Sequence, residues 1–520
     1  MIAKVMTGAI RGIECTLVCV EIAVTSGLPC IDMVGSLGTE VREAKDRVRV
    51  VLRNEGIPLP PCRITVNMSP ADLRKEGTAY DLPLAIALLE ALEELEQNAC
   101  EGYFVAGELA LDGEVKPVSG ILPMVLEARK QGLTKCIVPE KNAKEAAVVE
   151  GMQVVGIRNM HELLLYLHEN VEREKIVPYT KIKARKIFEE KQKGMDLDFA
   201  DVAGGELVKR AMEIAAAGFH NILMIGPPGA GKTMAAKRLP SIMTPITFEE
   251  SLEVSKVYSV CGLLEKEDYM ITGRPFLSPH HTISDVAMAG GGRDPKPGII
   301  SRAHKGVLFL DEIVHFSTKA LEILRQPLED KKLQISRVNG SHTFPAEFML
   351  CGAMNPCPCG FYPDRNKCSC TSDMIAKYVG KISGPILDRI DLCVDVPATK
   401  PYELKGKGRS SREIRENVIK AANVQKKRYK KEGILFNAQL TPNLIKKYLL
   451  LGEKEEKLMN ELYDALQMSL RGYHRVLKVA RTIADLAESE EIKEEHIMEA
   501  VCFRNVEDKY WRRNDGICKN

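Results

Sequence analysis

Apolar and polar residues alternate in Glu14–Ala23 (ECTLVCVEIA), the rhythm of a strand with one buried face. Tyr80–Leu95 carries an apolar helical period instead, entered through Asp81 and Pro83. Strand-like runs in Gly102–Val118 flank Asp112-Gly113, a dipeptide suited to tight hairpin turns. Residues 1–170 therefore predict an α+β unit. Residues 171–194, with KIKARK, EEKQKG and few apolar anchors, predict a charged linker, helical in part. Across residues 195–400 the pattern becomes short apolar runs between helices: Asn221–Ile225, Gly306–Leu310 and Phe348–Gly352. Runs of that length point to an α/β layer around a parallel sheet. Residues 401–510 are rich in Lys, Glu, Leu and Ala at helical spacing and predict a helical C-terminal domain, with a tail at 511–520. No internal repeat or low-complexity tract interrupts this order.

A length of 520 residues exceeds one core and suggests three or four domains. The net charge of +2 provides no global attraction for a polyanion, so any nucleic-acid contact must come from a local basic patch. Fifteen irregularly spaced cysteines fit a reducing compartment, and the expected location is the cytoplasm. The N-terminus has no secretory pattern, and no run of 18 apolar residues is present for a membrane span.

Gly226–Thr233 (GPPGAGKT) satisfies G-x-x-x-x-G-K-[ST] between a predicted strand and a predicted helix. Through Gly226, Pro227, Pro228, Gly229, Ala230 and Gly231, the loop would wrap backbone amides around ATP phosphates. Lys232 would reach the β- and γ-phosphates, and Thr233 would ligate Mg²⁺. The strand of VLFLDE delivers Asp311 to the same Mg²⁺ and Glu312 to the attacking water. Asn355 ends a third apolar run, where it would position the water or the γ-phosphate. Cys357, Cys359, Cys368 and Cys370 form C-x-C-x8-C-x-C, a set that fits either a structural Zn²⁺ or free thiols.

Longer strings carry a resemblance. RPFLSPHHTIS (Arg274–Ser284), PGIISRAHKGVLFLDE (Pro297–Glu312), AMNPCPCG (Ala353–Gly360), SGPILDRIDL (Ser383–Leu392) and RGYHRVLKVARTIADL (Arg471–Leu486) resemble the magnesium-chelatase-like AAA+ family, in its YifB/ComM group. Gly205 stands where Gln is usual, and Ile299 where Glu is usual. The resemblance implies an AAA+ P-loop core, an N-terminal Lon-protease-like domain of ribosomal S5 domain 2-like fold, and a helical lid. It also implies a homo-oligomeric ring, expected to be a hexamer, with Arg389 as an arginine finger acting on a neighbour's ATP. Arg471 matches the sensor-2 arginine, with Arg475 as the alternative.

Two insertions are expected to be working surfaces. Arg274–Lys296 carries Arg274, His280, His281, Arg293 and Lys296 around Gly290–Gly292, and a hairpin around Asn339-Gly340 carries Lys332, Arg337 and His342. In related rings such elements face a pore, where they would track a DNA backbone; the same charges also suit plain solvated loops. In the N-terminal domain Thr78-Ala79 occupies the place of the protease nucleophile and Leu122 that of its activating lysine, so no peptidase activity is expected. The group implies a DNA-remodelling motor, for branch migration or transformation. A chelatase-type remodeler of a protein partner is the second reading, and a slow nucleotide-gated scaffold the third.

Overall fold

A computed structural model describes residues 2–168, 173–192, 197–202, 205–264, 268–292, 295–337, 340–364, 366–397 and 408–512. Its first unit is a seven-stranded mixed sheet, ordered Cys30–Val34, Arg63–Ser69, Glu14–Thr25, Ile2–Arg11, Tyr103–Val105, Lys135–Pro139, Gln153–Ile157. Ile2–Arg11 and Glu14–Thr25 form an antiparallel ribbon from Ile2↔Ala23 to Arg11↔Glu14. The ribbon turns at Gly12, whose φ of 69° lies in the left-handed region. Its tip residue, Ile13, does not pack in this domain. It joins the apolar cluster of the central domain, with Leu333, Ile335 and Phe344.

The helix expected over Tyr80–Leu95 runs Asp81–Ala91 and is buried on every side, including its two acidic residues. Asp81 therefore does more than begin the helix. Its carboxylate accepts from Arg47 Nε at 2.7 Å, from Arg47 Nη2 at 2.8 Å and from the Leu109 amide at 3.0 Å. Such pairing is what makes a buried carboxylate tolerable. Glu108–Leu109 and Val115–Lys116 pair across the expected Asp112-Gly113 turn, with Gly113 at φ 85°.

Within the charged segment, Thr180 donates its amide to Val154 at 2.8 Å. Phe188 packs edge-on against Phe248 at 5.6 Å, and Arg185 lies over the same ring at 4.5 Å. These contacts fasten the segment to both neighbouring units.

The central sheet has five strands ordered Phe276–Leu277, Val307–Leu310, Met349–Met354, Ile222–Ile225, Leu392–Asp395, all in parallel pairs. The Ile222–Ile225, Val307–Leu310 and Met349–Met354 strands are buried at every position, as expected for a sheet covered on both faces. The remaining part is helical: Ser411–Arg428, Pro442–Tyr448, Glu453–Ala465, Leu470–Leu486 and Glu494–Glu507. Arg409 clamps it to the core by donating to both oxygens of Glu213, at 2.6 and 3.0 Å. The only tryptophan, Trp511, donates its indole N–H to the Val379 carbonyl at 3.1 Å. No helix among the described residues is long and apolar enough to cross a membrane.

Candidate nucleotide site

In an open parallel sheet, ligands bind outside the carboxyl ends of the strands, where the strand order reverses. Ile222–Ile225 lies at that point, between Met349–Met354 and Leu392–Asp395. The register Ile225↔Met354 sets Gly226 beside Asn355, and Leu310↔Gly352 brings Asp311 to the same edge. Gly226 must be glycine, because a Cβ there would come within 2.3 Å of the Val396 carbonyl oxygen. Gly229 and Gly231 adopt φ of 75° and 82°, and the helix Lys232–Ile242 begins directly after them. A left-handed turn opening a helix is the backbone form that presents amides to phosphate.

Lys232 is buried, and its Nζ donates to the Gly226 carbonyl at 2.7 Å, the Pro227 carbonyl at 2.9 Å and Asn355 Oδ1 at 3.1 Å. Burial lowers the pKa of its ammonium, while nearby Asp311 and Glu312 oppose that shift. Thr233 Oγ1 donates to Asp311 Oδ2 at 2.7 Å. A hydroxyl and a carboxylate converging beside a lysine form an oxygen donor pair suited to Mg²⁺. Pro228 and Ala230 complete the loop.

Glu312 stands in a left-handed backbone conformation, φ 49°, rare for a residue with a side chain and frequent at functional sites. Its carboxylate is half exposed and meets His315 Nδ1 at 3.1 Å. His315 faces the rings of His281 at 5.8 Å and Tyr378 at 6.2 Å. His315 lies three residues after Glu312, so a local signal for it existed in the sequence.

Arg389 and Arg471 meet elsewhere, at Glu329. Its Oε1 lies 2.5 Å from Arg389 Nη2 and 3.3 Å from Arg471 Nη2. Arg389 also donates to the Pro385 carbonyl. Arg475, the alternative to Arg471, is buried and donates to the carbonyls of Leu387 at 3.3 Å and Ile390 at 3.2 Å, bracing the turn that carries Arg389. Glu329 was not legible in the sequence, because its partners are remote along the chain.

The four candidate metal ligands come together. Cys357 Sγ is 3.3 Å from Cys359 Sγ and 3.7 Å from Cys368 Sγ, and all four sulfurs, with Cys370, lie within 4.8 Å of one another. A hydrogen bond from the Phe361 amide is the largest influence lowering the Cys359 pKa, to about 6, while burial pushes the Cys368 thiol up, to about 12. Soft thiolates at this spacing suit a tetrahedral d¹⁰ ion.

The insertions differ from a uniformly basic lining. Arg274 is a correction: it is buried and donates to the carbonyls of Thr244 and Lys305, each at 2.7 Å. A guanidinium that satisfies backbone carbonyls and Glu250 braces the fold rather than serving a surface. In the hairpin Lys332–Arg337 and Gly340–Pro345, Lys332, Gln334, Ser336, Ser341 and Thr343 are exposed. Lys332 and His342 point to opposite faces, since His342 pairs with buried Ile335 and stacks on Phe344. Arg337 pairs with Gly340 in the ladder. Arg293 and Asn339 lie outside the described residues.

In the first domain, Ala79 and Leu122 are both buried, and the Leu122 amide donates to Glu145 at 3.0 Å. Thr78 donates its hydroxyl to Glu108.

A phosphate loop with its lysine, a Thr233–Asp311 pair, a following glutamate and Asn355 on the adjacent strand define an ATPase of the AAA+ class. The comparisons narrow that class. A family model described as magnesium chelatase, subunit ChlI, matches residues 198–404, a second for subunit ChlI of Mg-chelatase matches 20–142, and one for the ChlI C-terminal part matches 408–504. The YifB protein of Salmonella typhimurium is 39% identical over 509 residues, 97% of each chain. The competence protein ComM of Haemophilus influenzae is 38% identical over 508 residues, again 97% of each. The chain belongs to the magnesium-chelatase-like AAA+ family, in its YifB/ComM group. A partial likeness links it to the Lon protease of Porphyromonas gingivalis, 26% identical over 166 residues, covering 30% of this chain and 19% of that protein.

Proposed function

We propose that this ATPase forms a ring, expected to be hexameric, that couples hydrolysis to remodelling of DNA, as in unwinding or branch migration. Hydrolysis rests on one observation above the rest: Lys232 is already bonded to Asn355 at 3.1 Å and Thr233 to Asp311 at 2.7 Å. Lys232 would exchange its present carbonyl partners for phosphate oxygens, and Asn355 would keep it aimed. Thr233 and Asp311 would hold Mg²⁺, which neutralises phosphate charge when bound. Glu312, released from His315, would orient water and accept its proton.

The ring assignment has support in Arg389 and Arg471. Both pair with Glu329, while Lys232 pairs with Gly226, Pro227 and Asn355, an arrangement that suits Arg389 to a neighbour's phosphate. The DNA assignment has support in the exposed polar hairpin face with Lys332, with Arg337 and His342 as further candidates, and in a relative named for competence. We assign a structural Zn²⁺ to the four thiols and a cytoplasmic setting to the chain, whose fourteen described cysteines form no disulfide.

ATPase rates with single-stranded, duplex and forked DNA test the proposal, with Glu312→Gln as the blank. Stimulation by single-stranded or forked DNA is expected. Unchanged basal turnover with every DNA would favour the protein-partner reading, and capture of a partner on the Glu312→Gln ring would then identify the substrate.

A further inference from the structure

The turn that carries the cysteine cluster is tied to the nucleotide site in two ways. Met349–Met354 delivers Asn355 to Lys232, and Cys357 follows two residues later. The chain then turns back at Gly360, which donates its amide to the Cys357 carbonyl at 3.0 Å and adopts φ 87°. A Cβ on Gly360 would lie 2.6 Å from Cδ and 2.9 Å from Cγ of Pro228, inside the phosphate loop. The same short turn therefore carries two ligand cysteines, backs the loop through Pro228 and anchors the strand end that aims Asn355.

The cluster has the dimensions of a metal centre. Zn–S bonds of about 2.3 Å arranged tetrahedrally place sulfurs about 3.8 Å apart. The observed separations include 3.3, 3.6 and 3.7 Å. The Tyr362 amide donates to Cys357 Sγ at 3.4 Å, an outer-shell contact of the sort that orients a thiolate ligand. Tyr362 packs on Tyr510 at 6.1 Å, so the loop is fastened to the end of the C-terminal helical region as well.

We propose that Cys357, Cys359, Cys368 and Cys370 bind one Zn²⁺, and that the metal-closed turn is a strut for the nucleotide site, so that zinc occupancy sets nucleotide affinity. The proposal rests on Gly226–Thr233 being that site. On binding, each thiol gives its proton to solvent and its sulfur to the metal. Without the metal, four thiols are left with weak S–H hydrogen bonds, and the turn loses its cross-link. Pro228 and Asn355 then lose a fixed support together, although neither touches the ion.

The test uses the full chain. Elemental analysis after gentle purification is expected to give about one Zn per chain. Affinity for a fluorescent ADP analogue is measured on the loaded protein, after chelation, and after Zn²⁺ is restored. Removal should weaken binding about tenfold, within the usual range for coupled sites, and restored zinc should reverse the loss. Gly360→Ala retains all four ligand residues but, at φ 87°, strains their turn and presses on Pro228; it should keep its zinc and bind nucleotide several-fold more weakly. This variant decides the matter if the chelated protein unfolds.

Lys232→Ala should lose nucleotide and keep zinc, which separates the two sites. Nucleotide affinity independent of zinc, full affinity in Gly360→Ala, or less than about a tenth of a Zn per chain would overturn the proposal. Absence of nucleotide binding by zinc-loaded wild type would instead remove the nucleotide site itself, and the strut with it.

Discussion

At the carboxyl ends of Ile222–Ile225, Val307–Leu310 and Met349–Met354, polar side chains meet one another at hydrogen-bonding distance. The first domain contributes Thr78, Ala79, Val118 and Ser119 to a cavity of ≈ 540 Å³ that Val260, Pro295, Lys296 and His342 of the central domain also line. Thr78-Ala79 and Leu122 stand where the resemblance to Lon-like proteases would put nucleophile and base, and Leu122 is sealed in the core. Lys232 pairs with Asn355 and Thr233 with Asp311, whereas Leu122 offers no such group. A fold preserves the shape of a cleft through its apolar layers, whereas chemistry hangs on a few side chains that packing does not require.

Substitutions test that contrast, from the largest expected effect downward. Lys232→Ala should abolish turnover and weaken ATP binding by at least ~100-fold, since charge-assisted hydrogen bonds contribute ~1.5–3 kcal/mol each. Calorimetric titration of ATP would show it, and near-normal binding would remove Lys232 from the phosphate. Arg389→Ala should bind nucleotide but hydrolyse it ~10³-fold more slowly, the scale of a lost arginine finger. Mixing it with Lys232→Ala subunits should recover activity, and mixed rings that stay silent would show that Arg389 does not act in trans. Glu312→Gln should keep ATP bound and cut turnover ~10²-fold, the lower range for a lost general base. Normal hydrolysis by that variant would assign the water to another residue.

Glu329→Gln should have a smaller effect, a few-fold change in turnover at saturating ATP. The carboxylate offsets repulsion between two guanidiniums, and its amide cannot. Steady-state kinetics would locate the change in kcat rather than KM; no change in either would make the pairing incidental. Thr78→Ala should leave ATPase unchanged and cost about 1 kcal/mol of stability through one lost hydrogen bond. A denaturant melt measures that cost, and a fall in peptide cleavage would reopen the first cleft as an active site.

The nucleotide site was legible because its groups come as short consecutive strings. GPPGAGKT and VLFLDE each pair an apolar run with the residues it delivers, and the sheet register then aligns them. The same holds for the cysteines, which lie within residues 357–370. Contacts between distant segments left no such trace. Glu329 gathers Arg389 and Arg471 from far along the chain, and Gly360 reaches back to Pro228. Arg274 misled for a related reason. A cation in a polar string suggests a surface, while three-dimensional packing turned it inward onto the carbonyls of Thr244 and Lys305.

Ile13 carries a mechanical consequence. It belongs to the tip of a ten-rung β-ribbon but packs among Leu333, Ile335 and Phe344, at the base of the polar hairpin. Thr343 and Phe344 also close around Gly12, within 4 Å of where a Cβ would stand. A force on the hairpin would therefore pass through Ile13 to the ribbon and to the seven-stranded sheet it belongs to.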